Sequence, residues 1–275
     1  MESKEGEWSL ILLNHWQLNR WGEPTPVGPR QQRLIALLAL FGPSKRAICA
    51  NMLWPTSSEE SASRNLRASL FKLNHSQPGL IRSWGDTIAL AATVWVDVDV
   101  MRASLAEAAA GHPAAEDGQI LGNRNALLPG WYDDWVIFEQ ERLSQQRILA
   151  LETIARTSLA AGDQQRAEQA ASAALTLEPL RETACVLLVR TLLTAGNRAL
   201  AIQTFERFRR VLAEELGIQP SQELAQLVGH RSTPANLNTQ PPHQTAGRRS
   251  VVPPGLDSRP AADLRRQPGR EPKRD

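Results

Sequence analysis

The segment from 59 to 90, EESASRNLRASLFKLNHSQPGLIRSWGDTIAL, leaves the chain few ways to fold. Its first half carries Ala62, Leu66, Leu70 and Leu73 at i, i+4, i+8 and i+11. That spacing follows one side of a 3.6-residue period. Arg64, Asn65, Arg67 and Lys72 fall on the other faces. Thr56, Ser57 and Ser58 supply an N-cap, and Glu59 and Glu60 suit the positive end of the helix dipole. Pro78 and Gly79 break the helix. Leu80, Ile81 and Arg82, a Gly85–Asp86 turn and residues 87–90 then read as a β-hairpin. Such a helix must bury one side against other elements while its opposite side stays cationic.

Those other elements are legible upstream. Residues 8–13 and 17–27 read as short strands, with a turn signal at Gly22, Glu23 and Pro24. Pro29 opens a helix over 30–41, where its missing N–H is harmless; Leu34, Leu37, Leu38 and Phe41 form the inner face, and Gly42–Pro43 ends it. Ser44 caps a second helix over 45–53 with Ile48 and Met52 inward, stopped by Trp54–Pro55. The alternation of residues 94–98 predicts a strand that extends the hairpin. Strands, three helices and a hairpin make an α+β winged helix-turn-helix domain over residues 1–96, an arrangement that places its third helix in the major groove of DNA.

Charge is divided along the chain. Residues 1–96 carry a net +3, residues 97–230 a net −6 and residues 231–275 a net +5. Within 30–82 there are eight basic residues against only Glu59 and Glu60. The basic charge therefore sits on the helix-turn-helix pattern, which suits a polyanionic partner.

From Asp99 onward the pattern is almost purely helical. A helix is predicted over 101–110, a polar connection over 111–125, a Pro129–Gly130 turn, and a long helix capped by Asp133 or Asp134 that runs to about Ala161. Leu159-Ala160-Ala161-Gly162-Asp163 then recurs as Leu193-Thr194-Ala195-Gly196-Asn197, Ala167 as Ala201 and Ala171 as Phe205. Each pair is offset by the tetratricopeptide period of 34. Leu151 and Ser158 stand where that repeat has Trp and Tyr. Residues 97–230 are thus an all-α tetratricopeptide-like domain. Residues 231–275, with eight prolines, many arginines and scattered apolar positions, read as a disordered basic tail.

Other chemistry is thinly represented. Cys49 and Cys185 stand apart in apolar helical contexts and read as buried free thiols. The five histidines are scattered, so neither a triad nor a metal set assembles from spacing. Asp97 and Asp99 alternate along the predicted strand, and a structural role at the domain junction outweighs metal binding for them. Trp131, Tyr132 and Trp135 read as packing beside a helix start. No cofactor or enzymatic constellation is expected. The longest apolar run, 34–41, is too short to span a bilayer, and the N-terminus lacks a signal-peptide core, so the expected location is cytoplasmic.

Six stretches carry a resemblance to a known family: GPRQQRLIALLAL (28–40), NLRASLFKL (65–73), VWVDVDV (94–100), LLPGWYDDWVIFEQERL (127–143), EPLRETA (178–184) and LAEELGIQPSQEL (212–224). Together they resemble the SARP-type transcriptional activators, an OmpR-like winged helix followed by a bacterial transcriptional activator domain. The resemblance implies double-stranded promoter DNA and RNA polymerase as partners, with a homodimer compatible. The chain departs from the family where the recognition helix usually ends in an Arg-rich turn: here it reads Lys72-Leu73-Asn74-His75, preceded by Phe71. The ATPase module of larger members needs a Gly-x-x-x-x-Gly-Lys-Ser/Thr loop. None occurs in the sequence, which reads as a short stand-alone form or a truncation.

The expected DNA contacts are Arg64, Asn65, Arg67, Ser69 and Lys72 on the third helix, Arg82 on the wing, and Lys45 and Arg46 at the start of the second helix. Arginine can meet guanine O6 and N7, asparagine can pair with adenine, and cations at a helix start can meet a phosphate. The rival reading is a protein-interaction scaffold built on the helical repeat, with the winged helix serving only as a protein-binding module.

Overall fold

The computed structural model describes residues 7–112 and 126–229. Strands β1 (Trp8–Ile11), β2 (Gln17–Arg20) and β3 (Glu23–Pro24) open the chain and are followed by α1 (Pro29–Phe41). The short β4 (Ser44–Lys45) leads into α2 (Arg46–Leu53) and α3 (Glu59–Ser76); β5 (Ile81–Trp84) and β6 (Thr87–Leu90) form the hairpin, and β7 (Val94–Val96) closes the region. Two sheets result, ordered β3-β2-β1-β7 and β4-β6-β5. The three helices fall between β3 and β5 in sequence and share one core, in which Leu34, Leu38, Leu66 and Leu73 are buried.

Two expectations about this region change. Residues 94–96 do not extend the wing: β7 pairs in parallel with β1, Trp8 opposite Val94 and Leu10 opposite Val96. A parallel pair needs a long crossover, and the entire three-helix and hairpin segment supplies it. The turn in which Val94 N–H donates to Ala91 O at 3.0 Å redirects the chain. Asp97 and Asp99 consequently lie in the first turn of a helix, α4 (Asp97–Ala109), and not on a strand. The second helix is also rotated from its predicted face. Ser44 pairs with Ile88 in the wing sheet instead of capping, and the Arg46 N–H donates to Asp86 O at 2.8 Å. The hairpin turn thus takes over the cap. Cys49, Ala50 and Leu53 point inward, Met52 is half-buried and Ile48 is 52% exposed.

After α4 the described chain resumes at Ala126. The long α5 (Asp134–Ala160), α6 (Gln164–Leu177), α7 (Glu182–Thr194), α8 (Arg198–Leu216) and the short α9 (Gln222–Leu227) complete the helical half. The predicted repeat is present as two helix hairpins. Gly162 (φ 82°) and Gly196 (φ 75°) occupy the left-handed positions between their helices, a conformation that costs any other residue strain. Asp163 and Asn197 each follow as N-caps, accepting from the N–H of Arg166 (3.1 Å) and Leu200 (3.4 Å). Ala167 and Ala201 are fully buried and let the helices approach closely. The connection predicted over 111–125 falls largely outside the described residues, as does the tail from 231.

The two halves are joined by polar chemistry as well as by the core. The Asp97 carboxylate accepts from the Leu12 and Leu13 N–H groups at 2.9–3.1 Å. Burial raises its pKa even though those bonds oppose the rise. This is the structural role at the junction that the sequence favours. Leu128 N–H donates to Leu12 O at 2.8 Å. Arg33 of α1 pairs with Asp133, whose side chain makes no cap hydrogen bond to α5. Arg102 of α4 bridges Leu40 O (3.2 Å) and the buried Glu139 carboxylate (2.8 Å). Phe41, expected inside, lies partly exposed at the edge of α1 with its ring edge-on to Trp135, centroids 6.2 Å apart.

Candidate nucleic-acid interface

The candidate surface is built on α3. Ser58 caps it, accepting from Ser61 N–H at 3.4 Å, and Glu59 and Glu60 occupy its first turn. Ala62, Leu66, Leu70 and Leu73 are buried and fix which way the helix faces. Arg64, Arg67 and Lys72 are then exposed, and Asn65 is half-buried. The Arg64 guanidinium donates to Ser61 Oγ at 3.0 Å, which holds it along the first turn. Ser69 does not join them. It is 3% exposed, on the inward side beside Leu70, because its position in the period falls with the buried stripe.

A cleft of about 500 Å³ runs beside the helix, between Asn65, Ala68, Ser69 and Lys72 of α3 and Gly28, Pro29, Arg30 and Gln31 at the start of α1. Arg30 was not among the residues singled out from sequence, though a signal was present. A cation in the first turn of a helix is disfavoured by the helix dipole, and α1 has no acidic residue there to compensate. The same holds at the start of α2, where Lys45 and Arg46 stand without an acidic neighbour in the first turn. Both helix starts therefore carry cations that the fold itself does not favour, and both would be relieved by an anion.

The wing places the remaining candidates. Lys45 is paired with Thr87, Thr87 with Trp84, and Arg82 with Ala89. Paired residues share a face and residues two apart along a strand share a face. Lys45, Trp84 and Arg82 therefore project from one side of the three-stranded sheet, and all three are exposed. The structure thus brings Lys45 together with Arg82, and Asn65 together with Lys72. Among the described residues, none of Arg64, Arg67, Lys72, Arg82, Lys45 and Arg46 forms an ion pair with a carboxylate.

Among the described residues no three His, Cys, Asp or Glu gather where they could hold a metal ion, and no helix is long and apolar enough to cross a membrane. Cys49 and Cys185 are buried free thiols, their pKa values pushed up by burial to about 11 and about 12; Glu182 adds to the rise at Cys185. Trp135 is buried as packing, whereas Tyr132 is 83% exposed.

Residues 99–230 match the family model of the bacterial transcriptional activator domain. Along 82% of its length the chain is 28% identical to the regulatory protein AfsR of Streptomyces coelicolor, and along 40% it is 36% identical to AfsR of Streptomyces griseus. Residues 99–230 thus carry a bacterial transcriptional activator domain, and the chain is similar to regulatory proteins of the SARP type. It spans 24% and 11% of the length of those two relatives. The fold agrees with that of Mycobacterium tuberculosis EmbR, solved in complex with a low-affinity phosphopeptide: TM-score 0.58 and 22% identity, covering 82% of this chain and 64% of that one. At that identity the likeness speaks for the architecture, a winged-helix region followed by a helical domain.

Proposed function

We propose that this chain is a SARP-type regulator, a sequence-specific, DNA-binding transcriptional activator. It docks α3 in the major groove of promoter DNA and contacts RNA polymerase or a second protomer through its helical half. The observation that carries the reading is the set of six exposed or half-exposed cations on α3, the wing and the start of α2, none answered by a described carboxylate. Arg64 and Arg67 are the base-reading candidates, and Lys72, with Asn65 and Arg30 across the cleft, suits a phosphate. Lys45 and Arg82 meet backbone phosphates beside the wing. Ser69 has no part in it.

The helical half supplies a protein-binding face. A groove of about 410 Å³ between the helix hairpins is lined by Leu188, Leu192, Leu200, Phe208 and Arg207 among others. Concave faces of stacked helix pairs are the usual binding surfaces of such repeats. Titrating a labelled promoter-length duplex with the full chain at rising salt tests the DNA reading. Four to five phosphate contacts give a log K against log salt slope of roughly −4. A chain that binds no duplex at low salt refutes it and leaves the scaffold reading in its place.

A further inference from the structure

The outward line of α3 is not uniformly cationic. At 100° per residue, Arg64, Ala68, Phe71 and His75 (i, i+4, i+7, i+11) point most directly away from the buried stripe. Arg67 and Lys72 flank that line on either side. Phe71 is 77% exposed, and Ala68 beside it on the next turn back is also exposed. A large ring left in water at the centre of a helix face, framed by cations, does nothing for the packing of the fold. The frame also selects the occupant. A partner protein's apolar surface would leave Arg64, Arg67 and Lys72 without counter-charge, whereas duplex DNA offers phosphates to the cations and one apolar mark in the major groove, the C5 methyl of thymine.

We propose that Phe71, with Ala68 beside it, is a specificity-determining residue that reads a thymine by its methyl group. This rests on the reading of α3 as the recognition helix. It also fixes a position: Phe71 lies about 6 Å along the helix axis from Arg67. A helix inclined to the duplex advances along it by no more than that distance, so the thymine falls within about two base pairs of the base that Arg67 meets, at 3.4 Å per step. Phe71 stands at a point of departure from the resemblance, so the thymine preference belongs to this chain's own operator.

The test begins with sites selected from random duplexes by the full chain. Each thymine of a selected site is then replaced singly by deoxyuridine, which removes the methyl and keeps the pairing, and affinity is read by fluorescence anisotropy. One thymine position is expected to lose about fourfold in affinity with the unsubstituted protein, the worth of one buried methyl. The same replacement leaves Phe71→Ala unaffected, and sites selected by that variant no longer hold the thymine. The uridine scan on the unsubstituted chain needs no variant to fold. Tight binding with a flat scan overturns the thymine proposal and leaves DNA binding standing, as does a scan whose sensitive position is equally sensitive in Phe71→Ala. A flat scan together with a Phe71-dependent dimer in sedimentation reassigns the ring to a protein contact and overturns it too. Failure to enrich any duplex removes the DNA-binding reading itself.

Discussion

Two helices of nearly equal length, α3 with 18 residues and α8 with 19, handle their charges in opposite ways. In α8 the arginines are interleaved with Glu206, Glu214 and Glu215, and Arg209 pairs with Glu206 at 2.7 Å. In α3 the only carboxylates are Glu59 and Glu60 in the first turn, far along the helix from Lys72. The contrast extends only in part to the halves that contain them, since Arg20 pairs with Glu7 and Arg33 with Asp133. Arg102, Arg142, Arg181 and Arg190 all find carboxylates within 3.3 Å in the helical half. A cation answered inside the protein is part of the structure. A cation the fold leaves unanswered, as on α3, is available to a partner.

That division is broken most forcefully at Glu139. Its carboxylate is 1% exposed and holds Arg102 at 2.8 Å and Arg142 at 3.3 Å. Glu139→Ala leaves the largely buried Arg102 with only the more distant, exposed Asp99 at 3.7 Å and Leu40 O, and is expected to cost about 3 kcal/mol of stability, read as a lower urea midpoint at unchanged slope. A variant as stable as the parent would show that the junction does not depend on this pair. The converse substitution lies on α3. Arg67→Ala is expected to cost about 1–3 kcal/mol in DNA affinity at one base position and less than about 0.5 kcal/mol in stability. Equal weakening on every sequence would make Arg67 a phosphate contact, and loss of stability would place it on the structural side of the division.

Arg209→Ala sharpens the comparison from the other side. Its ion pair with Glu206 is partly exposed, with side-chain exposures of 43% and 33%. The expected loss of stability is below about 1 kcal/mol, with no change in the salt slope of DNA binding. A shallower slope would mean that α8 also contributes to the DNA surface.

The sequence carried much of this because periodicity and caps are local. The stripe from Ala62 to Leu73, the Ser58 cap and the 34-residue offset all appear where the spacing placed them. What it misplaced depends on distant pairing. β7 joins β1 across 86 residues of sequence (Trp8 to Val94), and no local pattern distinguishes that from one more wing strand. The rotation of α2 follows from Ser44 being taken into the wing sheet, again by a partner more than 40 residues away. Ser69 differs for another reason: i+3 from Leu66 puts it at the edge of the buried stripe, and the packing around α3 takes it to the inner side despite its polarity. Arg30 was legible as a cation set against a helix dipole, but only the cleft shared with Lys72 gives it company.

The two buried thiols offer the mildest test, one in each half. Cys49 lies in α2 and Cys185 in α7. Burial raises both above the ordinary 9.0, to about 11 and about 12. A raised folded-state pKa means that the folded chain keeps a proton that the unfolded chain has released. Stability from each thiol is therefore fully present below pH 9 and declines as pH rises above it, levelling off near pH 11 for Cys49 and near pH 12 for Cys185. At neutral pH the thiols contribute no slope. Cys49→Ala should flatten the alkaline decline of the urea midpoint between pH 9 and 11, and Cys185→Ala should flatten it over the wider range, each relative to the parent. The same protonated, enclosed state predicts that Ellman's reagent at pH 8 labels neither cysteine until urea is added. If one thiol reacts in native buffer, the half that contains it opens locally, and the comparison between the halves becomes one of mobility as well as charge.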